Sequence, residues 1–333
     1  MDLKKLEFLL KAEPGFRIKQ IERSIYKDFS ENWNEFTGLP LLLRETLNKE
    51  IDLNIKGIMH KSGDSGSVKA LIKLEDDVNI ETVLMSHKDK RNTICVSSQA
   101  GCTAGCKFCK TGELGFKRNL SDEEIIAQVL FFSRYLKTIG KRITNVVFMG
   151  MGEPFLNYDN FLNSVKILND ENKFNIGQRK ISVSTCGITE KIKMLADANL
   201  QINLAVSLNA PNDKIRMEIM PIAKKYPMNE LISSVRYYIE KTNRRVMFEY
   251  VILKDVNDLP ENAEELSKKI RGLLCFVNLI PFNGEDNNKK PLSKNIKEFK
   301  KILIGNKIPF TQRYRFGNDI NAACGQLVFV KYI

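Results

Sequence analysis

The sequence predicts an α/β fold in which a mainly parallel, barrel-like sheet follows a small helical domain. Two observations carry this reading. From about residue 92, short apolar strands alternate with helical stretches, the pattern of βα units. Ahead of that point, Leu3, Leu6, Leu9 and Leu10, and then Ile18, Ile21 and Ile25, recur at helical spacing.

The elements follow in order. Pro14-Gly15 punctuates the first two helices, and Gly38-Leu39-Pro40 marks a later turn. Residues 55–90 hold β-like runs, such as Val68 to Leu74, around a Gly/Ser turn at Ser62–Ser67. Strands are then expected at 93–97, 144–149, 181–185, 202–207, 246–253, 276–281 and 309–315. Ser121-Asp122-Glu123-Glu124 is a capping-box pattern that opens a helix running through Phe132. Leu231, Val235, Tyr238 and Ile239 share one helical face, and Pro260 suits the first turn of another helix. The expected division is a helical accessory domain at 1–54, a β-rich connecting segment at 55–91 and the barrel at 92–333. In parallel barrels the chemistry sits at the C-terminal ends of the strands.

With 333 residues, 43% of them hydrophobic and 28% charged, the chain can bury a sizeable core. It has no run of the ~20 apolar residues that span a bilayer. Its start, MDLKKLEFLLKAEPGF, carries charges through the apolar stretch and lacks a small-residue cleavage site. No signal peptide is therefore expected, and the location read from the sequence is cytoplasmic, with no membrane partner. The formal net charge is +12, yet the first fifty residues hold six Lys, three Arg and nine Asp or Glu and sum to zero. The whole excess lies beyond them. A basic catalytic region suggests a polyanionic partner, nucleic acid first, although such an excess also serves solubility alone. The expected state is a monomer, since no long exposed apolar helix face is evident.

Seven Cys and two His shift attention to sulfur. In a cytoplasmic protein, cysteines favour metal or catalytic roles over disulfides. Cys102, Cys106 and Cys109 follow the first barrel strand with the spacing C-x3-C-x2-C. An iron–sulfur cube usually takes four cysteines. Three leave one iron open to a small-molecule ligand, as catalytic zinc keeps a free position. The other reading is a zinc site completed by Cys95 or Cys324; three cysteines within eight residues favour the open iron–sulfur site.

The CxxxCxxC run resembles the radical S-adenosylmethionine (SAM) superfamily. More narrowly, Cys95-Val-Ser-Ser-Gln-Ala-Gly-Cys102 through Phe116-Lys-Arg-Asn-Leu120 resembles the RlmN/Cfr RNA adenine methyltransferases. The likeness continues through Met149-Gly-Met-Gly-Glu-Pro154, Ser182-Val-Ser-Thr185, Ser207-Leu-Asn-Ala-Pro-Asn-Asp213, Asn278-Leu-Ile-Pro-Phe-Asn283 and Asn321-Ala-Ala-Cys-Gly-Gln326. These blocks run in the family's order over nearly all of residues 78–327.

That resemblance implies a partial (β/α)6-type radical SAM barrel, a [4Fe-4S] cluster on Cys102, Cys106 and Cys109, and S-adenosyl-L-methionine as cofactor. It implies that Cys324 accepts a methyl group and that Cys95 later resolves a covalent protein–RNA intermediate by forming a disulfide. Glu81 falls where the family places a general base, one residue further from Cys95 than is usual. Gly152, Glu153, Ser184, Ser207, Leu208, Asn209 and Asn283 match cofactor contacts; Asn209 stands where the family commonly has His. Cys186 and Cys275 read as small buried hydrophobes. The implied partners are 23S rRNA, tRNA and an electron donor such as flavodoxin or ferredoxin. Candidate phosphate contacts are Lys107, Lys110, Lys117, Arg118, Arg244, Arg245, Arg313 and Arg315, and the neutral N-terminal part suits recognition of RNA by shape.

The chemistry is coherent. An adenine carbon flanked by ring nitrogens is too electron-poor to attack an electrophilic methyl group, so a sulfur-borne methyl activated as a radical is needed. Within the family, Pro154 and Ala100 look RlmN-like, which means carbon 2 of the adenine. Phe316-Gly317 looks Cfr-like, which means carbon 8 and antibiotic resistance. Two rivals differ more: a zinc-bound RNA-binding module, and a radical enzyme that activates a protein partner and has no need of Cys95 and Cys324. Protein isolated without oxygen should be brown and carry iron with acid-labile sulfide. Colourless protein with zinc in place of iron would instead support the binding module.

Overall fold

The computed structural model describes residues 3–11, 13–63, 66–284, 286–313 and 317–328. Three helices open the chain: α1 (Leu3–Leu9), α2 (Gly15–Tyr26) and α3 (Leu41–Glu50). Trp33 is their anchor. It is buried against Phe36, and its Nε1 donates to the Ile51 carbonyl at 2.7 Å.

Next come β1 (Gly57–Lys61), β2 (Ser67–Lys73) and β3 (Asn79–Ser86), which pair antiparallel. They are not a separate sheet, because β3 pairs with β4 (Asn92–Val96), the first strand of the barrel. A short ribbon, β5 (Gln99–Gly101) and β6 (Phe116–Asn119), brackets the cysteine loop and the one-turn α4 (Lys110–Glu113). The βα units follow: α5 (Asp122–Thr138), β7 (Asn145–Phe148), α6 (Tyr158–Asn169), β8 (Ile181–Thr185), α7 (Thr189–Asp197) and β9 (Asn203–Ser207). The remainder is α8 (Asp213–Ile219), α9 (Met228–Thr242), β10 (Val246–Ile252), α10 (Pro260–Ile270), β11 (Cys275–Pro281), α11 (Ser293–Gly305) and β12 (Phe310–Gln312).

The main sheet has ten strands in the order β1-β2-β3-β4-β7-β8-β9-β10-β11-β12, and every pairing from β4 to β12 is parallel. Each expected strand is present; the last runs over 310–312, and residues 314 and 315 of its expected range lie outside the described residues. Residue side chains alternate between the two faces of a strand. On the outer face of β4, Ile94 and Val96 are buried beneath the helices. Its inner face presents Cys95.

Two local features set the mouth of the barrel. The capping box at Ser121 forms as expected, with Ser121 Oγ accepting from Glu124 N at 3.2 Å and Ser121 N donating to Glu124 Oε2 at 2.9 Å. Four residues after that box ends, Gln128 clasps the end of β4: its Oε1 accepts from Ser97 N (2.8 Å) and its Nε2 donates to Ser97 O (2.9 Å). This holds the chain that leads into the cysteine loop.

The N-terminal helices are tied to the barrel in part by a buried cation. Arg134 on α5 donates to Leu53 O at 2.9 Å and to Ser30 O at 2.6 Å. Replacing it with Met would leave two carbonyls without donors and should lower unfolding stability by about 2–3 kcal/mol, read from urea denaturation. A loss under about 0.5 kcal/mol would mean that water replaces the guanidinium there.

Candidate active site

The C-terminal ends of the parallel strands surround an open pocket of about 920 Å³, its mouth included. Cys102, Cys106 and Cys109 line one side of it, and Cys324 joins them from the last described segment. Gly152, Glu153, Ser184, Ser207, Asn209 and Asn283 line it as well. Three sequence candidates do not. Leu208 is a fully buried core residue, while Cys95 and Glu81 lie deeper in the barrel wall.

Main-chain bonds shape the cysteine loop. Cys102 N donates to Gly115 O (2.9 Å), Lys107 N to Ile219 O (2.9 Å) and Cys109 N to Cys106 O (3.1 Å). Burial pushes the Cys102 thiol up to about 12 and the Cys106 thiol well above its ordinary range. In such surroundings thiolates need a cation among the sulfurs, so the donor set fits a metal cluster. Among the described residues, no three His, Cys, Asp or Glu side chains stand close enough to share a single metal ion.

The turn after β7 is set by packing. Gly152 has φ +96°, and a Cβ there would lie 2.4 Å from the Cβ of Gln99. Glycine is therefore required by the neighbouring chain as well as by any ligand. Glu153 accepts from Cys186 N at 2.6 Å and from Phe155 N at 3.0 Å, and burial holds its pKa above the usual carboxylate range. Asn283 Oδ1 is buried and has no hydrogen-bond donor among the described residues. A buried acceptor without a donor costs free energy unless a ligand supplies one. This atom fits a cofactor contact.

Asn209 explains its own departure from the family's usual His. Its backbone is left-handed, φ +57°, a conformation that Asn tolerates better than other non-glycine residues. Its Oδ1 accepts from Val251 N at 2.9 Å, and its main-chain oxygen accepts from Asn257 Nδ2 at 2.7 Å. The side chain is thus bound into the barrel wall rather than reaching across the pocket.

Sequence reasoning missed a charged cluster on the pocket's inner wall. Glu249 on β10 accepts from Ser184 Oγ at 2.5 Å and Ser207 Oγ at 3.2 Å, and it pairs with Arg313 Nη1 at 3.2 Å. Glu249 had no motif around it, but its place among apolar residues of a strand that ends at the site was the available signal. Arg313, expected to meet phosphate, lies inside the pocket instead. There it acts on sulfur. Burial pushes the Cys95 thiol up to about 12 and raises Cys324 too, while the charge of Arg313 pulls both back down. Each of the two cysteines also raises the other or its neighbouring cation electrostatically, so Cys95, Arg313 and Cys324 form one local group. Both sulfurs are free thiols.

Other basic candidates are committed elsewhere. Arg118 pairs with Asp76 at 2.7 Å and forms a two-pronged contact with Glu124 at 2.7 and 2.8 Å. Lys110 pairs with Glu113, Arg244 donates to Asn203 Oδ1, and Arg245 covers the ring of Phe276. Lys107 and Lys117 are exposed beside the cysteine loop. Arg315 and Phe316 lie outside the described residues. Cys186, read from the sequence as a buried hydrophobe, is buried but borders the pocket next to Glu153.

Asn209→Ala should cost about 2–3 kcal/mol in thermal unfolding, because it orphans Val251 N and removes the polar side chain that lets Asn tolerate a left-handed backbone better than Ala does. Asn209→Gly should cost about 1 kcal/mol less, since glycine bears no penalty at that φ. Equal losses would show that the backbone there is no constraint.

The Radical SAM superfamily model matches residues 96–269. A Clostridium novyi (strain NT) protein described as "Probable dual-specificity RNA methyltransferase RlmN" is 49% identical over 320 residues, covering 95% of this chain and 92% of the relative. "Ribosomal RNA large subunit methyltransferase N" of Nitrosopumilus maritimus (strain SCM1) is 43% identical over 322 residues, covering 94% and 92%. The crystal structure of a radical SAM methyltransferase from Sphaerobacter thermophilus superposes with a TM-score of 0.93 at 43% identity, covering 98% of this chain and 97% of that one. With the pocket, the three-thiol loop and Cys324 on one barrel, the chain belongs to the RlmN family of radical SAM RNA methyltransferases.

Proposed function

We propose that this enzyme methylates carbon 2 of an adenosine in the peptidyl-transferase centre of 23S rRNA and of the adenosine 3′ of the anticodon in tRNA. The observation that carries the proposal is the arrival of Cys324, on a segment distant in sequence, in the same pocket as Cys102, Cys106 and Cys109.

In this reading the three loop thiolates hold a [4Fe-4S] cluster, and Glu153, Ser184, Ser207 and Asn283 with the Gly152 and Asn209 backbones hold S-adenosyl-L-methionine. When bound, that cofactor supplies an electrophilic methyl group and, on one-electron reduction, a carbon radical able to take a hydrogen atom. The residues of the chain do the rest. Arg313, itself held by Glu249, favours the thiolate form of Cys324 that a methyl acceptor requires. The same charge serves Cys95, whose thiolate attacks the Cys324 sulfur to release product as the two form a disulfide. Glu81 takes the ring proton. The likeness to solved and curated relatives supports this assignment of roles, and the RlmN-type Pro154 and Ala100 support carbon 2 over carbon 8.

The reading extends to setting. No described helix is long and apolar enough to cross a membrane. We place the enzyme in the cytoplasm as a monomer, with its electron from a flavodoxin or ferredoxin, and residues 1–54 as the accessory domain that meets RNA.

Under anaerobic conditions the cluster-loaded enzyme, given reductant, S-adenosyl-L-methionine and unmodified large-subunit rRNA, should yield 2-methyladenosine on digestion and mass spectrometry. Cys324→Ala should yield none. Formation of 8-methyladenosine would move the enzyme to the Cfr type, and an active Cys324→Ala variant would overturn the methyl-cysteine route.

A further inference from the structure

Glu81 has a partner that the resemblance does not assign. Lys69 Nζ lies 2.9 Å from Glu81 Oε1, and neither side chain has any solvent exposure. The register explains the meeting. Lys69 pairs with Val83 and Leu71 with Glu81 across β2 and β3, so Lys69 and Glu81 are diagonal neighbours on one face. Val83 pairs in turn with Cys95 on β4, which makes that face the inner one. Glu81 therefore stands one row nearer the mouth than the resolving cysteine.

A buried ion pair is a poor way to stabilise a fold, because desolvating two charges rivals their attraction. This pair has a further peculiarity. The ammonium sits 2.9 Å from Oε1 and is the only group that reaches this oxygen among the described residues. Oε2, in contrast, accepts from Val328 N at 2.7 Å. One oxygen is thus tied to the segment that carries Cys324, and the other keeps a lone pair beside a positive charge. Lys69 Nζ also reaches the main-chain oxygen of Asn321 in that segment at 3.4 Å.

We propose that Lys69 is the positioning residue of the base: it keeps Glu81 ionised inside the barrel and leaves Oε1 as the oxygen that takes the proton. The inference rests on the proposed role of Glu81. In the step it serves, the ring C–H bond breaks, the proton passes to Oε1 and the bonding pair stays in the ring. The charged group facing Glu81 is Lys69 from β2. From β4 the titratable neighbour is Cys95, and the C-terminal segment adds the amide of Val328. Burial raises the Glu81 pKa and Lys69 opposes that rise. Loss of the cation therefore raises it further, and a carboxyl protonated at a given pH is no base.

The test follows the covalent RNA–protein adduct in single-turnover reactions of the cluster-loaded enzyme, across a range of pH. In Lys69→Met the adduct should resolve about tenfold more slowly at neutral pH, with the rising limb of the profile moved up by about one unit. Methyl loading of Cys324, read by mass spectrometry without RNA, should stay within about threefold of the parent, and Lys69→Arg should restore resolution. If Lys69→Met does not fold, Lys69→Gln carries the same expectation. An unmoved pH limb, with loading and resolution falling together, would show a merely structural lysine and overturn the inference. Glu81→Gln separates the two levels. If its adduct resolves normally, the base role itself fails; if its adduct persists while the Lys69→Met limb is unmoved, only the role of Lys69 fails.

Discussion

The site depends on one constraint, the return of the C-terminal segment across the mouth of the barrel. Lys110 N donates to Gly325 O at 2.8 Å, Thr111 Oγ to Leu327 O at 2.8 Å and Val328 N to Glu81 Oε2 at 2.7 Å. These bonds join the segment to the cysteine loop on one side and to β3 on the other. Closing a chain over so many residues costs entropy, but that cost grows only slowly with loop length. A few well-placed hydrogen bonds can therefore hold Cys324 against residues more than 200 positions earlier. Further ties steady it: Gln326 Nε2 donates to Asn283 O, and Asp319 accepts from Ser62 Oγ and Gly63 N.

The same constraint accounts for the chemistry gathered there. Glu249 with Arg313 and Glu81 with Lys69 are charge pairs inside an otherwise apolar barrel. Arg216, fully buried, donates to Cys186 O and Tyr226 O, and so braces the end of β8 and the turn after α8. Charges placed this way do little for stability. They do a great deal for sulfur and carboxyl chemistry, because fields act strongly where water is excluded. The surrounding helices and the seven parallel strands supply the rigidity that such an interior needs.

The helical domain and the first three strands serve that arrangement differently. Strands β1 to β3 extend the barrel sheet and bring Lys69 and Glu81 to its inner face. The helices pack outside and are joined through Arg134 and through Lys173, which pairs with Glu22 at 3.3 Å.

Much was legible in the sequence because it is local. Strand and helix periodicity, the capping box at Ser121 and the close spacing of Cys102, Cys106 and Cys109 all lie within a few residues, where side-chain pattern and backbone preference act directly. The motif order likewise pointed to Cys324 and to Gly152, Glu153, Ser184, Ser207, Asn209 and Asn283, which line one pocket. Tertiary structure decided what depends on meetings between distant strands. It turned Arg313 inward to Glu249, tied Arg118 to Asp76 and Glu124, bound Asn209 into the wall and set Lys69 against Glu81. A lone charge in a strand reads the same whether it faces water or a buried partner; only register and closure of the sheet bring the partner into reach.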